Sequence, residues 1–288
     1  MMKLQFSKSL LFATMAVATV GYSQEANDTK NVANIDLSHW TVTTPAENLD
    51  KPGKTLDLKY PEILDFATNE ATNKYMYEDK KDKSIVFYAF PSGTSTANSH
   101  YSRSELRETM KVGDSDTNWT FAQGGYLKGT FKVQEVSKED DGKYSRIIVA
   151  QIHGRLTDEQ RDLIGQKDNN AAPILKIYWD KGKIRVKTKV LKDKNASLKD
   201  ILPADAWGDD EGRDFKEKVD FDRFTLEVKV SDGRLEVILN GGESFVYDDI
   251  SIKKWGVFEN YFKAGNYFQS KNPDSFAKVK IYSLKASH

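Results

Sequence analysis

Read as an extended strand, Tyr261-Phe-Lys-Ala-Gly-Asn-Tyr-Phe-Gln269 places Tyr261, Lys263, Gly265, Tyr267 and Gln269 on one face, with Phe262, Ala264 and Phe268 on the other. A phenol gives or takes a proton and an ammonium group holds an anion, so the polar face suits proton transfer beside a negatively charged substrate. An amphipathic edge strand with two exposed tyrosines has the same pattern, and this stretch alone does not separate the two readings.

Two further stretches bear on the choice. In Arg103-Ser-Glu-Leu-Arg107, alternation sets Arg103, Glu105 and Arg107 side by side. A carboxylate between two guanidinium groups fixes their rotamers and leaves donors free for a bidentate grip on a substrate carboxylate. A surface salt-bridge ladder reads the same way and contributes little to stability. Gln151-Ile-His153 ends a strand that begins near Tyr144. Alternation puts Gln151 and His153 on the face of Ile147 and Val149, with Ile148, Ala150 and Ile152 opposite, so a polar pair interrupts an apolar face. The ordinary alternative for His153 is a half-buried histidine with satisfied partners. With His39, His100, His153 and His288 as its only histidines, and no cysteine, the chain has no metal-ligand spacing, and neither a metal nor a cofactor is expected.

The elements that must carry these side chains read as strands. Lys74–Tyr77 with Ser84–Phe90, Ile174–Trp179 with Lys183–Val190, and Phe224–Val230 with Arg234–Leu239 form three hairpins. Their turns are Glu78–Lys83, Asp180-Lys-Gly182 and Ser231-Asp-Gly233. With Gly125–Val136, Tyr144–Gly154 and Phe276–Leu284 there are about ten or more strands, which predicts an all-β, antiparallel two-sheet sandwich of jelly-roll type. Helix is expected only in short pieces, best at Thr157–Gln166, where Thr157 and Gln160 form a capping box. Leu198–Arg213, rich in Asp and Gly around Trp207, reads as a long loop able to wall a groove. Lys183, Arg185, Lys187 and Lys189 share one strand face, either lengthening a groove for a polyanion or forming a solvated outer surface.

The N-terminus, Met1–Ser23, combines Lys3 and Lys8 with the apolar run Leu10–Val20 and then Gly21-Tyr22-Ser23, with small residues at the usual cleavage positions, the pattern of a secretory signal peptide. The run is too short to span a bilayer. The expected product is therefore secreted or periplasmic, with residues 24–34 as a linker and residues 35–288 as one domain acting as a monomer. Without cysteine, stability must come from an ordinary core. The formal net charge is zero, so attraction for an anion must be local, and nucleic acid and membrane are not expected partners. Charged residues make up 30% and aromatic residues 11%, which fits a wet, aromatic-lined surface of the kind carbohydrates use.

Arg103-Ser-Glu-Leu-Arg107, Gln151-Ile-His153 and Tyr261-Phe-Lys-Ala-Gly-Asn-Tyr267 together resemble, in order and spacing, the three signature motifs of the alginate lyases of polysaccharide lyase family 7. The resemblance runs from about Ile35 to the C-terminus. It implies a jelly roll whose concave sheet forms an open groove for alginate or a related anionic polysaccharide, cleaved by β-elimination to 4,5-unsaturated oligosaccharides. Elimination removes the C5 proton next to the uronate carboxylate, and the developing charge must be stabilised by donors and cations, each well-placed group contributing roughly 3 to 4 kcal/mol. That task falls to Arg103 and Gln151, with His153 close by. His153 and Tyr267 are the candidates for base and acid, each worth about 10²- to 10⁴-fold. Where the C5 proton is syn to the leaving oxygen, Tyr267 alone can serve as both; on the opposite face His153 is base and Tyr267 acid. A phenol acting as base needs positive charge nearby. Arg107, Tyr261, Lys263, Asn266 and Gln269 are expected to bind substrate, as is Glu105, which also orients the two arginines. The isoleucine inside Gln151-Ile-His153 goes, in the resembled family, with acceptance of guluronate-containing blocks.

Rival functions make different demands. A non-catalytic polyuronate-binding module has no use for His153 and Tyr267 in proton-transfer positions. A jelly-roll glycoside hydrolase needs two facing carboxylates, whereas Glu105 and Glu108 fall on opposite strand faces. A lyase of another polyuronate such as polyglucuronate shares the chemistry.

Overall fold

The computed structural model describes residues 31–94, 99 and 101–288. The expected signal peptide and residues 24–30 of the expected linker lie outside the described residues. The rest of that linker is held in place: the Asn31 side chain accepts from Ile35 N and donates to Ile35 O, and Val32 N donates to Glu78.

Seventeen strands are described. In chain order they are β1 (Trp40–Glu47), β2 (Thr55–Leu58), β3 (Met76–Asp79), β4 (Ser84–Ala89), β5 (Arg103–Glu108), β6 (Trp119–Thr120), β7 (Gly125–Val136), β8 (Ile147–Arg155) and β9 (Leu175–Asp180). There follow β10 (Lys183–Leu191), β11 (Trp207–Asp209), β12 (Arg213–Lys218), β13 (Phe224–Ser231), β14 (Arg234–Leu239), β15 (Ser244–Tyr247), β16 (Glu259–Phe268) and β17 (Ala277–Ser287). One sheet runs β11-β10-β9-β8-β16-β5-β1-β2, with β12 on β10 and β6 on β16; the other runs β15-β14-β13-β7-β17-β4-β3. All pairs are antiparallel, and the two sheets form the jelly-roll sandwich that the strand count predicts.

The core lies between the sheets. Leu106, Phe262, Ile152 and Trp179 project from one sheet toward Phe87, Phe131 and Val237 of the other, all fully buried. Alternation supplies those residues: in β16, Phe262, Ala264 and Phe268 turn inward and leave the opposite face to polar groups. Hairpin turns set the register. Between β9 and β10, Lys181 (φ 53°) and Gly182 (φ 82°) both adopt positive φ, the conformation a two-residue turn of this hand requires.

The helix expected at Thr157–Gln166 is α1 (Asp158–Ile164), with the Thr157–Gln160 capping box in both directions. Leu198–Arg213 differs from its reading as a loop. It contains α2 (Leu198–Ile201), a 3-10 turn at Ala204–Ala206, and β11, which pairs with β10. Trp207 brings this about, because it is buried, donates Nε1 to Ile201 O and packs edge-on against Trp255 at 4.8 Å. A third helix, α3 (Ile250–Trp255), capped by Asp249, carries that Trp255 and has no clear sequence signal.

Candidate active site

Strands β8, β16 and β5 are neighbours in that order, and their registers bring the three sequence stretches together. Tyr261 pairs with His153, Lys263 pairs with both Gln151 and Arg107, and Tyr267 pairs with Arg103. Directly paired residues share a face, so one face of the sheet carries Arg103, Glu105, Arg107, Gln151, His153, Tyr261, Lys263 and Tyr267.

Glu105 is the hub. Its side chain is fully buried and its two oxygens accept from Arg103 Nη1 at 2.9 Å, Lys263 Nζ at 2.5 Å and Gln151 Nε2 at 2.5 Å. Burial pushes the Glu105 carboxyl up, but Lys263 and Arg103 outweigh that and hold it below its ordinary value, so it is ionised. The two cations exceed the single carboxylate, leaving net positive charge for an incoming anion. Burial and the neighbouring Arg103 bring the Lys263 ammonium down to about 8, against the pull of Glu105.

His153 stacks on Tyr261 with ring centres 5.2 Å apart, and Arg107 covers Tyr261 at 4.1 Å. Burial, with the charges of Lys263 and Arg103, lowers the His153 imidazole to about 3 and keeps it neutral. Its Nδ1 lies 3.0 Å from Gly154 O; the carbonyl can only accept, so Nδ1 carries the proton and Nε2 keeps a lone pair. Tyr267 lies under Arg103, whose guanidinium carbon is 3.8 Å from the ring centre, and its hydroxyl is 3.3 Å from Ser99 Oγ. Ser99 also accepts from Arg103 Nη2 at 2.8 Å. It was not visible in the sequence, because a loop serine carries no periodic signal. Among the described residues no hydrogen bond joins His153 to Tyr267; Arg103 and the Glu105 hub lie between them.

A cleft of about 520 Å³ opens over this face, lined by Arg103, Arg107, His153, Tyr261 and Lys263, with Thr41 and Thr43 of β1 and Asn169 and Asn170 at its walls. Gln151 lies beneath it, 3% exposed, and half-buried Tyr267 borders it beside Arg103.

Several expectations need correction. Glu105 does not touch Arg107, whose guanidinium donates instead to Glu108 O, Ser115 O and Asn118 Oδ1. Fully buried Glu105 has no surface with which to bind substrate. Asn266 shares β16 with the site but has the opposite parity: it is fully buried and donates to Phe87 O and Ala277 O between the sheets, so it too is removed from substrate binding. Gln269 lies past the end of β16, donates to Tyr267 O and lines a separate cavity of about 430 Å³ with Tyr101, Arg146 and Lys271.

Ile147 and Val149 do not share the face of Gln151 and His153 as a unit. The β8 ladder shifts register between Ile148 and Ala150, so Ile148 pairs with Tyr178 and Tyr267 while Ile147 and Val149 join the core. The β16 ladder shifts at the same level, between Ala264 and Tyr267, where Gly265 has φ 139° and a Cβ would stand 2.8 Å from Ser104 O. Such irregularities re-aim a side chain, here Tyr267.

The stripe Lys183, Arg185, Lys187 and Lys189 faces the site side of the sheet. Gln151 pairs with Lys176, and Lys176 pairs with Lys187, which fixes the side.

The family model described as alginate lyase matches residues 35–288. A crystal structure of alginate lyase A1-II', a member of polysaccharide lyase family 7, is 31% identical, with 89% of this chain and 97% of that chain covered and a TM-score of 0.69. A form of A1-II' with one histidine replaced by asparagine and one tyrosine by phenylalanine, in complex with substrate (GGMG), is 30% identical over 89% of this chain and 95% of that chain, with a TM-score of 0.68. An alginate lyase of Klebsiella pneumoniae is 24% identical, covering 88% of this chain and 89% of its own length.

Proposed function

The chain belongs to the alginate lyases of polysaccharide lyase family 7 and cleaves alginate by β-elimination, and we infer that Arg103, Gln151, His153 and Tyr267 carry the reaction. The observation that carries this reading is the Glu105 hub, which gathers Arg103, Lys263 and Gln151 from three strands beside a neutral imidazole and a phenol.

A uronate carboxylate entering the cleft meets the Arg103 guanidinium and the surplus positive charge of Lys263, both of which line it. Neutralising the carboxylate lets negative charge build on C5 and its carboxyl group as the proton leaves. His153 Nε2 takes the proton where it lies on the histidine side, and the Tyr267 hydroxyl protonates the departing O4. Where the C5 proton is syn to O4, Tyr267 does both, with the Arg103 guanidinium stacked over its ring at 3.8 Å. Arg107, Tyr261 and Lys263 contact neighbouring sugars. Acceptance of guluronate-containing blocks is supported by the relative solved with GGMG, and that relative's altered histidine and tyrosine are the residue types assigned here to proton transfer.

Cleavage creates a C4–C5 double bond conjugated to the carboxylate. Mixing the protein with alginate should therefore raise ultraviolet absorbance; binding without a rise would leave a binding module, and new reducing ends without a rise would mean hydrolysis. His153→Asn should separate the two geometries. It should lower kcat about 10²-fold or more on the epimer whose proton faces the imidazole and far less on the other, as measured on separated polymannuronate and polyguluronate. Equal losses on both would remove the distinction.

The pH profile follows from the same groups. With His153 near 3, no acid limb from this base appears down to about pH 4. Lys263 is charged below about 8 and loses its proton above it, so kcat/KM should fall as pH rises through about 8. In Lys263→Arg that limb should move above about pH 10, because a guanidinium stays protonated; an unmoved limb would assign it elsewhere.

Among the described residues no helix is long and apolar enough to cross a membrane. Export by Met1–Ser23 rests on the charged-apolar-small pattern of that N-terminus, and one catalytic domain at residues 35–288 rests on the family match to that span.

A further inference from the structure

We propose that the β9–β10 part of the grooved face is a distal subsite of the lyase, where Lys187, with Lys176 and Lys189, binds carboxylates of alginate residues beyond those at the reacting bond.

The strand registers lay out one row across the sheet. Arg107 on β5 pairs with Lys263 on β16, Lys263 with Gln151 on β8, Gln151 with Lys176 on β9, and Lys176 with Lys187 on β10. Directly paired residues face the same way, and neighbouring strands lie about 4.8 Å apart. Lys187 therefore stands about 10 Å from Gln151, on the surface that holds the scissile linkage. The cleft over the site also runs across the strands, from β1 to β8, and β9 and β10 continue that direction.

The charges at the far end are not balanced. Asp209 of β11 pairs with Lys189 at 2.7 Å and with Lys176 at 3.6 Å. Lys187 makes no ion pair or hydrogen bond among the described residues, although Asp209 feels its charge. Three ammonium groups thus share one carboxylate. Burial already holds Lys176 below its ordinary value, and Lys189 and Lys187 push it the same way, so an added anion relieves the crowding. Arg185 on the same strand is committed to Asp214 and to Glu211 O. Among the described residues Lys183 and Lys187 are the cations of the stripe without an ion pair, and Lys187 is the one in the row of Gln151 and Lys176. A polymer with one carboxylate per sugar supplies anions at regular intervals along this row.

The inference rests on the alginate-lyase reading, and its test separates the two. Lys187→Ala and Lys187→Gln are assayed on alginate oligomers from three to ten residues and on the polymer, at low and high salt. Lys128→Ala, on the outer face of the other sheet where Lys128 pairs with Glu227, serves as the control for general charge. Both Lys187 variants should raise KM on the polymer about three- to fivefold at low salt, with kcat unchanged. The effect should vanish on the shortest oligomers and shrink at high ionic strength. The control should leave polymer KM unaltered. An equal KM change at every length, no change at any length, or an equal effect from Lys128→Ala would overturn the subsite. Failure of the wild-type protein to cleave alginate would instead overturn the reading on which it rests.

Discussion

Tyr267→Phe is expected to lower kcat on alginate about 10²- to 10⁴-fold while leaving affinity within about twofold of the wild type. The substitution removes one oxygen and keeps the ring. Arg103 still has a face to lie on at 3.8 Å, and Tyr101 still meets the ring edge-on at 6.3 Å. The pocket therefore keeps its shape and its positive charge, and only the group that delivers the proton to O4 is gone. In the syn geometry the base goes with it, so the loss should be greater on that epimer. Rates from ultraviolet absorbance and affinities from calorimetry check both halves. A variant that keeps most of its kcat takes Tyr267 out of the mechanism; one that loses binding in proportion would make the hydroxyl a contact and not an acid.

The second large effect is expected at Glu105. Glu105→Ala leaves Arg103 and Lys263 side by side with no counterion and takes the acceptor from Gln151. Removing one partner of a buried ion pair costs about 3–5 kcal/mol. For a domain of this size that corresponds to a fall in Tm of about 6–20 °C. Turnover should fall further than stability alone explains, because the three groups aimed at the substrate carboxylate lose what aims them. Glu105→Gln separates charge from shape. It keeps the volume but removes the negative charge that raises Lys263, so the alkaline limb of kcat/KM should shift below about pH 8. Thermal unfolding within about 2 °C of the wild type for Glu105→Ala, together with an unmoved limb for Glu105→Gln, would show that Glu105 is not the hub.

Much of this site was legible in the residues themselves. Alternation with period two assigns the faces of Arg103, Glu105 and Arg107 and of Tyr261, Lys263 and Tyr267, and the structure keeps both sets as written. The hairpin turns at Lys181-Gly182 and Asn240-Gly241 need positive φ, and the residues that tolerate it stand there. The capping box of α1 was equally readable, since its two partners are three residues apart.

Other features became visible only once distant segments met. Asn266 sits among site residues in sequence, yet its parity turns it inward to bond Phe87 O and Ala277 O. The β8 irregularity at Val149 moves Ile148 to the groove face, and no local pattern announces an extra residue in a ladder. Arg107 leaves Glu105 for Ser115 and Asn118, and an Asp- and Gly-rich segment becomes β11 because Trp207 finds Trp255.

The sequence by itself determined which side chains a strand presents to each face, because that depends only on the chain's own two-residue repeat. The tertiary structure decided which of them touch. Gln151 and Glu105, 46 residues apart, meet because β16 lies beside both of their strands, and strand order follows from burying two apolar faces against each other. That is a property of the whole core, and no single segment contains it.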